Sequence, residues 1–373
     1  MKYRKFGNTG VIISALGFGA MRLPEYEKNG NRMVDEDKSI EIIHRAFDLG
    51  VNYIDTAYGY CGKMSEIVVG KAIKGYRNKV YVSTKSPLWD IKEKSDYRRI
   101  LEEQLKKLDV DYIDFYHFHS VNKDKWENLV LKFDLLEDAQ KAKEEGIIKH
   151  ISFSFHDKPE VMIELIDTGI FETLLCQYNL LDRANEHAIA YAREKGLGVV
   201  IMGPVGGGRL ASPSEVIRQS LGGKAGSTPE VALRFVLANP NVCCALSGMN
   251  TLEMVEENAR VASIEEPLSE EDIRRINETF EENKRLAELY CTGCEYCLPC
   301  PRGIKIPRVF NIMNYHRVYG LTDYAKSQFK GIGTDENHGA SPADCIECGA
   351  GEEKCPQNIK IREKLKEALA ELE

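Results

Sequence analysis

An acid, a phenol, an amine and an imidazole are spaced along the first third of the chain so that one site can use all four. Asp55 ends the apolar stretch Val51-Asn52-Tyr53-Ile54, and Tyr60 follows it past a turn containing Gly59. Lys85 closes Ser83-Thr84-Lys85, and His117 and His119 fall at alternate positions near the end of Asp111–His119. If these side chains converge, the phenol can protonate a developing alkoxide. A nearby ammonium lowers the phenol pKa toward neutrality, the carboxylate orients that ammonium, and an imidazole hydrogen-bonds a carbonyl oxygen. The plainer reading of 51–60 is a strand with a capping Asp and packing tyrosines, and one of the two histidines reads as a packed core residue.

A second chemistry lies late in the chain. Cys291, Cys294, Cys297 and Cys300 are each separated by two residues and followed by Pro301, and a second run holds Cys345, Cys348 and Cys355-Pro356. Thiolates at this spacing wrap an iron–sulfur cluster rather than pair as disulfides. Zinc, which takes two separated Cys-x-x-Cys pairs, is the alternative. Of 11 cysteines, the remaining four (Cys61, Cys176, Cys243, Cys244) are scattered, which is not a secreted disulfide framework and points to a reducing cytoplasm.

The elements that must position these groups alternate. Strand-like stretches at Leu16–Met21, 51–55, Lys79–Thr84, Asp111–His119, Ile147–Ser154, Thr173–Tyr178, Leu197–Met202 and Val242–Ser247 are separated by helical patterns. The helices are expected at Lys38–Leu49, 65–74, 95–107, near 125–145, 159–167, 184–195, 228–238 and 251–262. Short apolar strands with helical crossovers imply a parallel sheet, and eight units in about 250 residues close a (β/α)8 TIM barrel. An open doubly wound sheet is the alternative, but Gly17-Phe18-Gly19-Ala20-Met21 is not its G-x-G-x-x-G phosphate turn. Residues 3–14 read as an N-terminal β-hairpin. A charged helix from Glu270 to Leu289 precedes a shift to cysteine, proline and glycine, so the barrel is assigned to 1–285 and a small α-helical iron–sulfur domain to 286–373, closed by a helix near 359–372. Functional residues of a barrel sit at strand C-terminal ends, and Asp55, Lys85, His117 and His119 all fall there, with Tyr60 in the turn beyond.

With 373 residues and 43% hydrophobic content the chain can bury a large core, and its net charge of −8 argues against nucleic acid or an anionic membrane as a partner. No apolar run reaches membrane-span length, and Met1 to Phe6 lacks a leader's apolar core.

Taken together, residues 1–285 resemble the aldo-keto reductase family. The resemblance rests on the opening Tyr3–Met21, on Asp55-Thr56-Ala57 followed by Tyr60, on Ser83-Thr84-Lys85, and on Asp111-Tyr112-Ile113-Asp114 with Tyr116 and His119. It implies reduction of an aldehyde or ketone, a small carbonyl substrate, by direct hydride transfer from NADPH or NADH. Tyr60 is then the general acid, tuned by Lys85 and Asp55, and His119 orients the substrate. Ser154 and Gln177 match positions that hold the nicotinamide carboxamide, and Met21 lies where the chain after the first strand touches the cofactor. Gly203, Pro204, Gly206 and Gly207 match the loop over the pyrophosphate, and Glu257 and Asn258 the pair facing adenine. The segment Gly248–Met254 lacks the cation that NADP-preferring members place on the 2′-phosphate, and Arg260 is nearest, so NAD stands beside NADP. Phe155 replaces the usual Asn, which puts Phe155 and His156 at the substrate pocket.

The cysteine segment resembles a two-cluster ferredoxin-like domain, in which three close cysteines share a [4Fe–4S] cluster with the distant Cys-Pro of the other run. That implies one cluster on Cys291, Cys294, Cys297 and Cys355. A second would rest on Cys300, Cys345 and Cys348, one thiolate short because Gly351 stands where the pattern has cysteine; it is a [3Fe–4S] site, takes an oxygen ligand such as Glu352, or is empty. A hydride carries two electrons and a cluster accepts one, so the cluster is expected to brace its domain near the barrel mouth or to serve a redox partner protein. A nucleotide-occupied sensor or docking subunit with little turnover is the alternative to the enzyme.

Overall fold

The computed structural model describes residues 1–28, 30–287, 291, 294–335 and 337–373. Eight strands close into a parallel barrel: Leu16–Gly19 (β1), Tyr53–Asp55 (β2), Tyr81–Ser86 (β3), Ile113–Val121 (β4), Ile148–Phe155 (β5), Thr173–Gln177 (β6), Gly198–Met202 (β7) and Cys244–Ser247 (β8). Each pairs with its sequence neighbour and β8 pairs with β1, as the eightfold alternation requires. Two of the crossover helices begin with side-chain caps: Asp35 accepts from the Lys38 N–H ahead of Glu36–Asp48, and Thr251 from the Met254 N–H ahead of Leu252–Ala262.

The hairpin Tyr3–Lys5/Ile12–Ser14 seals one end of the barrel. Phe6 and Ile13 join Tyr53, Phe115, Leu175, Val200 and Leu246 in a single buried cluster, with the Phe6 ring 4.8 Å from Phe115 and 5.8 Å from Tyr53. Phe6 lies so close to the start of β7 that a β-carbon on Gly198 would sit 2.2 Å from its Cδ2. With the N-terminal end plugged, chemistry is left to the opposite mouth.

One expected helix is not continuous. The segment near 125–145 is a short turn at Lys123–Lys125, a π-type turn at Trp126–Leu131 and a helix at Leu135–Glu144. The left-handed backbone of Asp134 (φ +52°) stops the ladder, which periodicity alone does not reveal. A second hairpin, Glu25–Lys28/Asn31–Val34, has no apolar alternation and was not expected from the pattern.

The chain divides into two compact units, Met1–Gly207 with Ala232–Pro267, and Gly208–Val231 with Leu268–Glu373. The second is helical: Glu270–Ala287, Ile306–Arg317, Thr322–Phe329 and Ile361–Leu372. The expected end of the charged helix at Leu289 lies outside the described residues. Segment 208–231 packs within this unit: the Ser214 hydroxyl donates to the Tyr319 carbonyl at 2.5 Å and Lys224 pairs with Asp272 at 2.9 Å. Its core holds Phe310, Met313, Leu321, Leu365 and Leu372. Among the described residues no helix is long and apolar enough to cross a membrane.

Candidate active site and thiolate pockets

The barrel register brings the expected acid and amine together. Asp55 pairs with Ser83 across β2 and β3, so Lys85, two residues on, points into the barrel on the same face. Lys85 Nζ donates to Asp55 Oδ1 at 2.5 Å and to the Thr56 carbonyl at 2.7 Å, and the Ser83 hydroxyl donates to Asp55 Oδ2 at 2.8 Å. Both ionic side chains are almost fully buried. Gln104, inside the helix Ser95–Leu108, donates to the Lys85 carbonyl at 3.0 Å and fixes this end of β3 from outside.

Tyr60 reaches the pair from a tight turn. Residues 60–63 form a short 3-10 segment in which Cys61 and Lys63 have positive φ (+50° and +73°), an unfavourable backbone for side-chain-bearing residues that swings the phenol back over the mouth. Lys85 Nζ lies 4.9 Å from the Tyr60 ring centroid.

The histidines are separated by a bulge. His117 pairs with Lys85 in register and is fully buried beneath it, with neither ring nitrogen hydrogen-bonded. The β4–β5 register then shifts between Phe118 and Val121, and Ser120 has φ +55°. This bulge carries His119 to the mouth, where its ring sits 6.0 Å from Tyr60 and 4.8 Å from Trp89. Phe118 faces outward, stacked on Tyr97.

Burial raises the Asp55 carboxyl above the ordinary carboxylate value, with Lys85 opposing it. Burial alone would lower Lys85, but Asp55 and then Tyr60 reverse the sign and hold the ammonium above its usual pKa. For Tyr60, burial raises the phenol, Lys85 pulls against it, and the net direction is up. The ammonium does lower the phenol as expected, but the cost of burying a phenolate outweighs it, and the Asp55 charge beside Lys85 adds to the rise. Burial, and then the Lys85 charge, draw His119 down to about 2, so its imidazole is neutral across the working range.

The other expected residues surround this mouth less tightly. Ser154 is buried and its hydroxyl oxygen accepts the Ser120 N–H at 2.6 Å, so it braces the bulge and retains one proton to donate. Gln177 ends β6 beside Gly203, whose φ is +63° and where a β-carbon would sit 2.8 Å from the Gln177 amide oxygen. Pro204 and Gly206 are buried, Gly206 and Gly207 have φ of +61° and +67°, and Arg22 donates to the Gly207 carbonyl at 3.0 Å. This bare, left-handed backbone is a cradle that side chains would fill, and it fits a dinucleotide pyrophosphate. Met21 is exposed just past β1; Glu257 is half-buried, and Asn258 donates to the Ser247 hydroxyl at 3.2 Å from the helix Leu252–Ala262. Phe155 does not line the mouth: it is buried and packs edge-on against Phe153, because strand alternation turns it to the helix side when Ser154 faces inward. Sequence reasoning named Ser83 only within the Ser83-Thr84-Lys85 motif, without its role on Asp55, and missed Trp89. Ser83 was legible two residues before Lys85 on the same strand face; Trp89 lies in a short turn with no periodic signal.

In the second unit the late cysteines line two neighbouring cavities. Cys291, Cys294, Cys297 and Cys355 surround one, among Ile306, Phe310 and Ile361. Cys300, Cys345 and Cys348 line the other, with Gly351 and Glu352, and Cys297 stands on the wall between them. Cys297 feels the charges of Cys291, Cys294 and Cys355. Four thiols around an apolar cavity fit a [4Fe–4S] cluster; three thiols beside a glycine do not supply a second full set.

Comparison with known proteins agrees with both halves. The model of the Aldo/keto reductase family matches residues 15–281, and that of a 4Fe-4S dicluster domain matches residues 290–359. L-galactose dehydrogenase of Arabidopsis thaliana is 29% identical over 315 residues, 77% of this chain and 96% of that protein. Aldo-keto reductase YhdN of Bacillus subtilis is 33% identical over 228 residues, 56% of this chain and 64% of that protein. Among solved structures, the holo form of aldo-keto reductase AKR11C1 from Bacillus halodurans superposes with a TM-score of 0.64 at 27% identity, covering 74% of this chain and 96% of that one.

Proposed function

Because the chain belongs to the aldo/keto reductase family and carries a 4Fe-4S dicluster domain, we propose that it interconverts an aldehyde or ketone with its alcohol using a nicotinamide dinucleotide. The observation that carries this reading is the meeting of Asp55, Lys85, Tyr60 and His119 at one barrel mouth. The nicotinamide, when bound, supplies or accepts the hydride at the carbonyl carbon. Everything else falls to the chain. The neutral His119 hydrogen-bonds the carbonyl oxygen and turns it toward Tyr60. Tyr60 gives its phenolic proton to that oxygen as negative charge develops, and the buried Lys85–Asp55 pair stabilises the phenolate left behind. Ser154 and Gln177 hold the carboxamide, the 203–207 backbone the pyrophosphate, Met21 the nicotinamide side, and Glu257 with Asn258 the adenine. L-galactose dehydrogenase among the relatives suggests testing sugars and their lactols alongside simple aldehydes.

The test is a steady-state carbonyl panel run without oxygen, with NADPH and NADH compared. Turnover of at least one carbonyl is expected; cofactor binding without turnover across aldehydes, ketones and sugars would overturn the reading.

The raised phenol pKa sets a pH dependence. Reduction needs Tyr60 protonated, so kcat stays flat through neutral pH and falls only on the alkaline side, above the ordinary range of a tyrosine phenol. Alcohol oxidation needs the phenolate and rises with pH over the same range. Opposite slopes in the two directions check the assignment; a reduction rate that falls from pH 7 upward contradicts it.

Gly203→Ala puts a β-carbon on a left-handed backbone and against Gln177. We expect about 1–2 kcal/mol lower stability and a severalfold higher KM for the dinucleotide with kcat nearly kept. Thermal unfolding and initial-rate measurements read both.

The iron–sulfur domain serves a redox partner protein rather than the hydride step, since a cluster accepts one electron at a time.

A further inference from the structure

The second thiolate cavity has three cysteines and a candidate oxygen ligand, and the structure removes the oxygen. Glu352 is held by Arg362: Nη2 donates to Oε2 at 2.8 Å, Nε to Oε1 at 3.1 Å, and the Arg362 backbone N–H to Oε1 at 2.8 Å. The carboxylate thereby anchors the first turn of the helix Ile361–Leu372. Turning it to a metal would break all three bonds and leave the guanidinium of Arg362, which also lines the cavity, facing the cluster alone. Cys297 cannot complete the set either, since it belongs with Cys291, Cys294 and Cys355 around the first cavity. The missing position is Gly351. A β-carbon there would sit 3.2 Å from Ile361 Cδ1 and 3.3 Å from Cys297 Cβ, among the side chains that separate the two cavities.

We propose that the second site is a three-thiolate centre on Cys300, Cys345 and Cys348, holding a [3Fe–4S] cluster whose open corner takes up and releases a ferrous ion. Uptake itself is redox-neutral: once a one-electron donor such as dithionite has reduced the three-iron core to charge zero, that core combines with Fe2+ to give [4Fe–4S]2+. Loss of one electron from that product to an acceptor such as ferricyanide destabilises the iron that no protein thiolate holds, which leaves as Fe2+ and returns the oxidised three-iron core. The ligand class at the corner is therefore ferrous iron, completed by water or hydroxide. This inference rests on the dicluster domain and not on carbonyl reduction, so the two fail separately.

The experiment uses the full-length protein purified without oxygen, with iron and acid-labile sulfide counted and electron paramagnetic resonance recorded. After mild oxidation the wild type is expected to hold about seven irons per chain and to show about one spin of a near-isotropic three-iron signal. Reduction with added Fe2+, followed by removal of free iron, is expected to raise the count to about eight, where reduction alone keeps about seven, and oxidation returns about seven with the three-iron signal. Gly351→Cys is expected to hold about eight irons and show no three-iron signal under the same oxidation. Glu352→Gln, which keeps an acceptor for Arg362, is expected to keep the wild-type signal. Cys348→Ser loses the three-iron signal while keeping the first cluster, and reports on the site even if the Gly351 variant fails to fold. Three results would overturn the proposal: about eight irons in the oxidised wild type without a three-iron signal, about four irons in total, or loss of the signal in Glu352→Gln.

Discussion

Tyr60→Phe is expected to lower kcat for carbonyl reduction by roughly 10²–10⁴, about 3–5 kcal/mol of transition-state stabilisation, while dinucleotide affinity changes little. The substitution removes one hydroxyl and nothing else. The ring keeps its edge-on approach to His119 at 6.0 Å and its place 4.9 Å from Lys85 Nζ, so the mouth retains its shape. What disappears is the proton that must reach the carbonyl oxygen, and the other titratable groups of the mouth do not replace it. His119 is neutral, and both Lys85 and Asp55 are occupied with each other. Single-turnover rates together with a fluorescence titration of the dinucleotide separate the two effects. A variant retaining more than a tenth of wild-type kcat would remove Tyr60 from the role of proton donor.

Lys85→Met carries the second large effect, and it strikes stability as well as turnover. The methionine fills most of the lysine volume but leaves the Asp55 carboxylate buried with only Ser83 donating to it. Breaking a buried pair from one side costs about 3–5 kcal/mol, because the surviving charge loses its partner and keeps its desolvation penalty. The loss has a pH signature. Without the ammonium the folded-state pKa of Asp55 rises further, so the variant's deficit is smallest below the ordinary carboxylate value and grows as pH rises through the folded pKa. Adding Asp55→Asn removes the orphaned charge and should recover most of the stability while leaving the enzyme inactive. Urea unfolding of wild type, single and double variants at two pH values checks this; a double variant no more stable than Lys85→Met would show that the pair's burial is not the source of the cost.

Much of the site was readable because it obeys local rules. Asp55 and Lys85 lie at the ends of short apolar strands, and alternation with a parallel register then leaves them no choice but to face each other. His119 was less accessible. It shares a strand face with His117, and only the bulge at Ser120, held by the Ser154 hydroxyl, lifts one imidazole to the mouth and leaves the other in the core. Phe155 misled for a related reason: its neighbours in sequence suggested the pocket, while the pleat turned it away.

By itself the sequence determined the eightfold strand–helix alternation, the residues at the strand ends, and the two cysteine runs with Gly351 in place of a thiol. These are matters of periodicity and spacing, which survive without knowledge of what packs on what. Tertiary structure alone decided the sign of the Tyr60 shift, the break at Asp134, the inclusion of 208–231 with the C-terminal helices, and the commitment of Glu352 to Arg362. Each of these depends on how much water is excluded or on which distant group arrives first. Desolvation and long-range pairing are properties of the assembled core, and no local stretch of chain encodes them.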